Sequence, residues 1–205
     1  LAMVANLRAQ GRNAEIITAD AFQMYRGMDI GTAKPTTTEQ RLAPHHLLDI
    51  CSPFAPPNNI SGEGVGAFTV DDWLSQAEPC IAAVRARGAV PIVVGGTSLY
   101  VQSLLYGLFR GPRSDESLRR ELQGTPINDL RGELERVDAA AARKIHPSDV
   151  RRTIRAVEVF RLTGTPISEH QRQWEHRPAR GDARLFVLDW EKEALSRRIN
   201  ARIKA

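Results

Sequence analysis

Ile16-Ile17-Thr18-Ala19-Asp20-Ala21-Phe22-Gln23-Met24-Tyr25-Arg26 joins a short apolar β-type run to a carboxylate, then to an aromatic ring, an amide, a phenol and a guanidinium. In an open α/β sheet the carboxyl ends of the strands face the ligand crevice. An Asp at such an end is a candidate general base, and the groups after it suit a flat, polar substrate. The same Asp also suits a simple turn cap, and the stretch alone leaves both readings open.

Outward from this stretch the elements alternate. Residues 1–9 have helical period, with Leu1, Val4 and Leu7 on one face, and Gly11 stops them. The first strand is expected over 15–19. Residues 26–67 are rich in Gly, Pro, Thr and Asn and read as loop, loosest over 53–66. A helix is expected over 70–87, with Asp71 and Asp72 near its start and Trp73, Leu74, Ala77, Ile81 and Val84 on its core face. A second strand follows over 89–94, and Gly95-Gly96-Thr97 leads into another helix. Two strand–loop–helix transitions within a hundred residues favour a parallel sheet with crossovers.

Residues 115–163 carry helical patterns and no strand pattern. Ser148 is the expected N-cap of a helix over 149–163, with Val150, Ile154, Val157 and Phe160 inward, ended by Gly164 and Pro166. Residues 168–184 read as a polar hinge, 185–188 as a third strand, and 191 to the end as an amphipathic helix. The expected architecture is an α/β core over 1–111 and 181–205, interrupted by a helical insertion over 112–180.

The bulk composition is that of an ordinary globular protein: 205 residues, 42% hydrophobic, 25% charged, net charge +4. No apolar run is long enough to span a bilayer, so no membrane role is expected. Cys51 and Cys80 form no disulfide framework and no metal motif. With no export signal, the chain reads as cytoplasmic with reduced thiols. The arginines concentrate between Arg110 and Arg184, a distribution suited to a polyanion or to a solvated helical face.

Four constellations can carry chemistry. Gly95-Gly96-Thr97 can offer backbone N–H groups, a hydroxyl and a helix N-terminus to an anion, or can simply be a tight turn. Arg151, Arg152 and Arg155 begin a helix, with Arg151 and Arg155 one turn apart on a face that can grip phosphates or remain solvated. Arg198 and Arg202 are four apart on the last helix and can clamp a diphosphate or lie along the surface. His45-His46 with Asp49 nearby is a poor metal site, because adjacent side chains point apart; His146 reads as the residue before a helix start. No Gly-x-x-x-x-Gly-Lys-Ser/Thr stretch occurs, so the chain reads as starting where a helix is already under way.

The stretch 19–35 (ADAFQMYRGMDIGTAKP), His45-His46-Leu47-Leu48-Asp49, Val94-Gly95-Gly96-Thr97-Ser98-Leu99-Tyr100, and Ile145-His146-Pro147-Ser148-Asp149 with Arg151-Arg152-Thr153-Ile154-Arg155-Ala156 occur in that order. Together they resemble the signatures of the tRNA dimethylallyltransferase family over nearly the whole chain. The resemblance implies a P-loop-NTPase-like α/β fold with an inserted all-helical domain. It implies transfer of a dimethylallyl group from dimethylallyl diphosphate to the N6 amine of the adenosine 3′ to the anticodon. Under it, Asp20 is the base, Thr97 lies near the reacting centre, and Asp20, Ala21, Phe22 and Gln23 line the flipped-out base. Arg119, Arg151, Arg152, Thr153, Ile154 and Arg155 contact the tRNA anticodon stem-loop. Arg198, with Gly95 and Gly96, holds the diphosphate, assisted by Mg2+ for which this chain supplies no ligand. A monomer is expected. Arg151 stands where the family often has Gln, and Phe22 where many members have a smaller residue.

Three other functions compete. A P-loop small-molecule kinase shares the core sheet but would need a nucleotide triphosphate site and only a short lid. An adenine-nucleotide prenyltransferase would need no long basic helical insertion. A non-catalytic RNA-binding module would not need Asp20 at a strand end beside Gln23 and Tyr25.

Overall fold

A computed structural model describes residues 1–53, 68–108, 111–112, 115–172 and 178–204. These residues form two compact units, one from 1–105 with 182–205 and one from 106–181.

In the first unit, α1 (Ala2–Ala9) stops at Gly11, whose φ of +73° gives the left-handed turn that the sequence requires there. β1 (Ala14–Thr18) follows and is wholly buried. It is the middle strand of a parallel three-stranded sheet of order β2-β1-β3, with β2 at His45–His46 and β3 at Val90–Val94. The period of two sorts the side chains. Ala14, Ile16, Val90 and Ile92 pack with Val4 and Leu7, while Ile17 and Val93 pack with Ile81, Val84 and Ala89. Helices therefore cover both faces, as a parallel sheet demands.

α3 (Val70–Ala86) starts at a capping box in which Thr69 and Asp72 satisfy each other's backbone N–H groups. Trp73, Ala77, Ile81 and Val84 are buried on it as expected, and Leu74 is half-buried. The helix runs through Pro79, which lies on the exposed side. α4 (Ser98–Tyr106) leaves β3 through the glycine turn, and α10 (Lys192–Lys204) ends the chain.

Two expectations for this unit change. Residues 26–53 contain α2 (Thr37–Leu42), opened by a capping box between Thr36 and Glu39, and the strand β2, rather than loop alone. Two residues are too short to show a period; pairing of Ile16 with His45 and Ile17 with His46 makes them a strand. Residues 185–188 form no strand: Leu185, Phe186, Val187 and Leu188 are 59–88% exposed. An apolar run becomes a strand only where a neighbour accepts its backbone hydrogen bonds, and no described residue does so. The loose stretch expected over 53–66 lies, past Pro53, outside the described residues.

Among its described residues, the regular structure of the second unit is helical: α5 (Glu116–Gly124), α6 (Ile127–Val137), α7 (Ala139–Lys144), α8 (Val150–Thr163) and α9 (Ile167–Gln171). Leu122, Leu130, Leu134, Ala141, Ala142, Ile154, Ala156 and Val157 make its core. The N-cap of α8 is Asp149, which accepts from the Arg152 N–H at 3.0 Å, not Ser148, whose hydroxyl lies 2.7 Å from His146 Nδ1. The expected inward position Val150 is 45% exposed, because the buried stripe runs through Thr153, Ile154, Ala156 and Val157. Gly164 closes the helix at φ +71°. α9 occupies part of the expected hinge.

Glu15 is the one charged side chain on the buried central strand. Arg87 grips both its oxygens, and His46 Nε2 lies 2.6 Å from Oε2. The Arg87 hydrogen bonds, helped by His46, outweigh burial and hold the carboxyl down at about 2. A carboxylate depressed in the folded state stabilises fully above its unfolded value near 4.5 and loses that contribution as pH falls toward 2. Glu15→Gln is therefore expected to cost roughly 2 kcal/mol at pH 7, discounted because Arg87 is half in water. Denaturant unfolding from pH 7 down to pH 2 should show the two proteins converging at the acid end; a constant gap would remove the ion pair from the account.

Candidate active site

β1 and β3 run in register and end together, with Thr18 opposite Val94. The ladder continues one step, Ala19 N–H donating to Val94 O at 2.8 Å. Both chains then turn away, and the turns are laced to each other. Thr97 N–H donates to Ala19 O at 3.3 Å, and Ala21 N–H donates to Thr97 Oγ1 at 2.9 Å. This close approach explains Gly95. A β-carbon there would lie 2.0 Å from Ala19 O and 2.3 Å from Ala19 C, whereas Gly96 has open space around it. Of the two glycines, the first is required by contact with the neighbouring strand end.

Asp20 is half-buried at this junction. Its Oδ1 accepts from the N–H groups of Phe22, at 2.9 Å, and Gln23, at 3.3 Å. The turn-cap reading is thus correct for one oxygen. The other has no partner among the described residues, so capping and chemistry do not compete for the same atom. Gln23 turns its amide nitrogen onto the carbonyls of Thr32, at 3.1 Å, and Ala33, at 3.0 Å, drawing residues 28–34 back over the turn. Phe22 is 61% exposed. Beneath the turn, Trp73 Nε1 donates to Thr18 O at 2.8 Å, and the Trp73 ring stacks on Tyr100 at 4.9 Å. Burial pushes the Tyr100 phenol up to about 12, so it stays protonated.

Sequence reasoning passed over Lys34, which ties this region together. Its side chain is 6% exposed, and its ammonium meets Asp29 Oδ1 at 2.7 Å, Asp49 Oδ1 at 2.6 Å and the carbonyl of Tyr25. Burial works against its charge, but the two carboxylates outweigh that and hold its pKa above the usual lysine value. Arg26 donates to the carbonyls of Asp49 and Ile50. Ala33, Leu47 and Asp49 sit at φ between 52° and 60°, in the left-handed region that residues with a β-carbon avoid. Such conformations persist where surrounding contacts over-determine them; Asp49 is held by Lys34 and Arg26, and Ala33 by Gln23.

The arginines divide. Arg202 donates to Gly31 O at 3.0 Å, anchoring α10 to the same loop, while Arg198 lies 4.4 Å over the Trp190 ring. No hydrogen bond joins Arg198 to Gly95–Thr97 among the described residues. On α8, Arg151 and Arg152 face solvent and Arg152 pairs with Asp149 at 3.4 Å. Thr153 and Ile154 turn inward, 0% and 8% exposed; the helical period of 3.6 places them in the core. Arg155 and Arg119 both bind Glu158. Among the described residues no group of three His, Cys, Asp or Glu could hold a metal ion, and no helix is long and apolar enough to cross a membrane.

An open parallel α/β sheet with laced strand ends and a helical second unit defines the structural class. Residues 23–205 match the family described as IPP transferase, and the chain belongs to that family. It is 43% identical over 201 residues to a protein of Anaeromyxobacter dehalogenans named tRNA dimethylallyltransferase, an alignment covering 96% of this chain and 63% of the relative. A tRNA isopentenylpyrophosphate transferase structure from Staphylococcus epidermidis matches with TM-score 0.55 and 33% identity over 99% of this chain and 64% of that one. A eukaryotic dimethylallyltransferase acting on tRNA shares the fold, with TM-score 0.73 at 24% identity, over 98% of this chain and 48% of that one. The chain spans 63%, 61% and 59% of the length of three curated relatives it matches.

Proposed function

We propose that the protein acts in the cytoplasm, as a monomer, to transfer a dimethylallyl group to the N6 amine of the adenosine 3′ to the anticodon in certain tRNAs. The observation that carries this reading is the pairing of a half-buried carboxylate with a glycine-threonine turn at two adjoining parallel strand ends, in a chain of the IPP transferase family. The N6–carbon bond forms as the carbon–oxygen bond to diphosphate breaks. The free oxygen of Asp20 takes the N6 proton, and the diphosphate leaves with the bonding pair. An exocyclic amine is a poor nucleophile, so removing its proton as the new bond forms lowers the barrier.

Thr97 fixes the backbone after Asp20 and thereby the direction of the carboxylate. Ala21, Phe22 and Gln23 form the wall against which the unstacked adenine lies; extruding that base costs a few kcal/mol, least in a loop. Gly95, Gly96 and Arg198 are the groups we assign to the leaving diphosphate, and Arg119, Arg151, Arg152 and Arg155 those we assign to the anticodon stem-loop. The helical second unit, near the expected 112–180, is the tRNA-binding part of this reading. Magnesium would accompany the diphosphate. The described residues offer no ligand cluster for it, and the proton and bond changes above involve only the chain's own groups and its substrates.

Incubation with dimethylallyl diphosphate and either unmodified tRNA or AMP tests the reading. Prenylation of tRNA alone is the expected result. Prenylation of AMP would favour the free-nucleotide enzyme, and turnover of neither would overturn the proposal.

A further inference from the structure

Glu158 is completely buried on α8, and its Oε2 accepts from Arg155 Nη1 at 2.7 Å and Arg119 Nη2 at 3.0 Å. Its Oε1 has no hydrogen-bond partner among the described residues. Arg155 is fixed a second time, by Pro112 O at 3.1 Å. The guanidinium-bearing side chains nonetheless remain 36% (Arg155) and 41% (Arg119) exposed. As a stability device this is a poor arrangement. A buried charge with an unpaired oxygen is costly, and an apolar side chain of similar volume would fill the space without that cost. What the carboxylate does supply is direction: one anion holds two cations, from α5 and α8, side by side with their outer N–H groups in water. The cluster keeps a net charge of +1, and a planar fork held in place binds phosphate oxygens with less ordering cost than a free side chain.

We propose that Glu158 is a positioning residue for RNA, pre-orienting Arg119 and Arg155 toward phosphates of the anticodon stem-loop. This rests on the tRNA reading given above. The proposal carries an unusual sign. Glu158→Gln removes a negative charge from a protein that binds a polyanion, so simple charge counting expects tighter binding. Positioning expects weaker binding, by about tenfold, the scale of one charge-assisted hydrogen bond.

The test is the affinity of the protein for a synthetic anticodon stem-loop RNA across a salt series. It compares wild type, Glu158→Gln and Glu158→Asp, each also in an Arg119→Ala/Arg155→Ala background, with thermal unfolding alongside. Glu158→Asp keeps the charge and withdraws it by one methylene, so it should weaken binding as well, and it serves if the Gln variant does not fold. Both effects should shrink toward unity in the double-alanine background, and the salt slope should fall by about one unit in the single variants. Unchanged or tighter binding by a folded Glu158 variant would overturn the proposal. So would an equal loss in the double-alanine background, which would mark Glu158 as a fold residue only. Failure of the wild type to bind the stem-loop would instead overturn the tRNA reading itself.

Discussion

Asp20→Asn is expected to slow prenyl transfer by about 10³-fold while leaving tRNA affinity within about twofold, the range set by loss of a positioned base. The choice of Asn follows from the geometry. Asp20 Oδ1 accepts from Phe22 and Gln23, and an amide oxygen can accept the same two bonds. The turn therefore survives, and only the atom assigned to proton removal changes into a donor. Asp20→Ala would lose the cap together with the base and so would not separate the two. Single-turnover transfer from labelled dimethylallyl diphosphate reads the chemical step directly. Wild-type rates in the Asn variant would remove Asp20 from the mechanism and leave it as a turn cap.

The second large effect is expected at Gly95. A methyl group there meets backbone, not a flexible side chain: Ala19 O at 2.0 Å and Ala19 C at 2.3 Å. Either the end of β3 or the end of β1 must move, and the Thr97–Ala19 and Thr97–Ala21 hydrogen bonds go with it. Gly95→Ala should cost about 3 kcal/mol, lower the melting temperature by roughly 10 °C, and remove most activity even where the protein remains folded. Gly96→Ala, in open space, should change stability by less than about 1 kcal/mol. A thermal melt of the two variants side by side decides the matter. Equal, small effects would mean that the two strand ends are not in contact.

The parts of this fold that could be read from the sequence are those whose signal is local. α3 has a clear helical stripe and a capping box; β3 is an apolar run closed by glycine; Gly11 and Gly164 stop their helices. What could not be read depends on partners far along the chain. His45–His46 is a strand only because β1 lies beside it, and Leu185–Leu188 is not one because no described neighbour pairs with it. The same holds for the site. Asp20 and Gly95-Gly96-Thr97 are each visible as strand-end features, but a hydroxyl at position 97 holding the backbone at 21 is a fact of packing. Glu158 escaped notice because a glutamate three residues after an arginine ordinarily signals a solvated helix face. Here the helix turns that face inward, and Arg119 arrives from another helix. Ile154 is inward as its helical period requires, and Thr153, named with it by the family resemblance, is buried beside it.

The indole of Trp73 lies wholly inside the protein, stacked on a phenol and bonded to the last carbonyl of the central strand, two residues before Asp20. It therefore sits where the strand gives way to the turn that carries Asp20. With Trp174 and Trp190 replaced by Phe, the remaining indole would serve as an optical gauge of displacement at that junction without any label being attached.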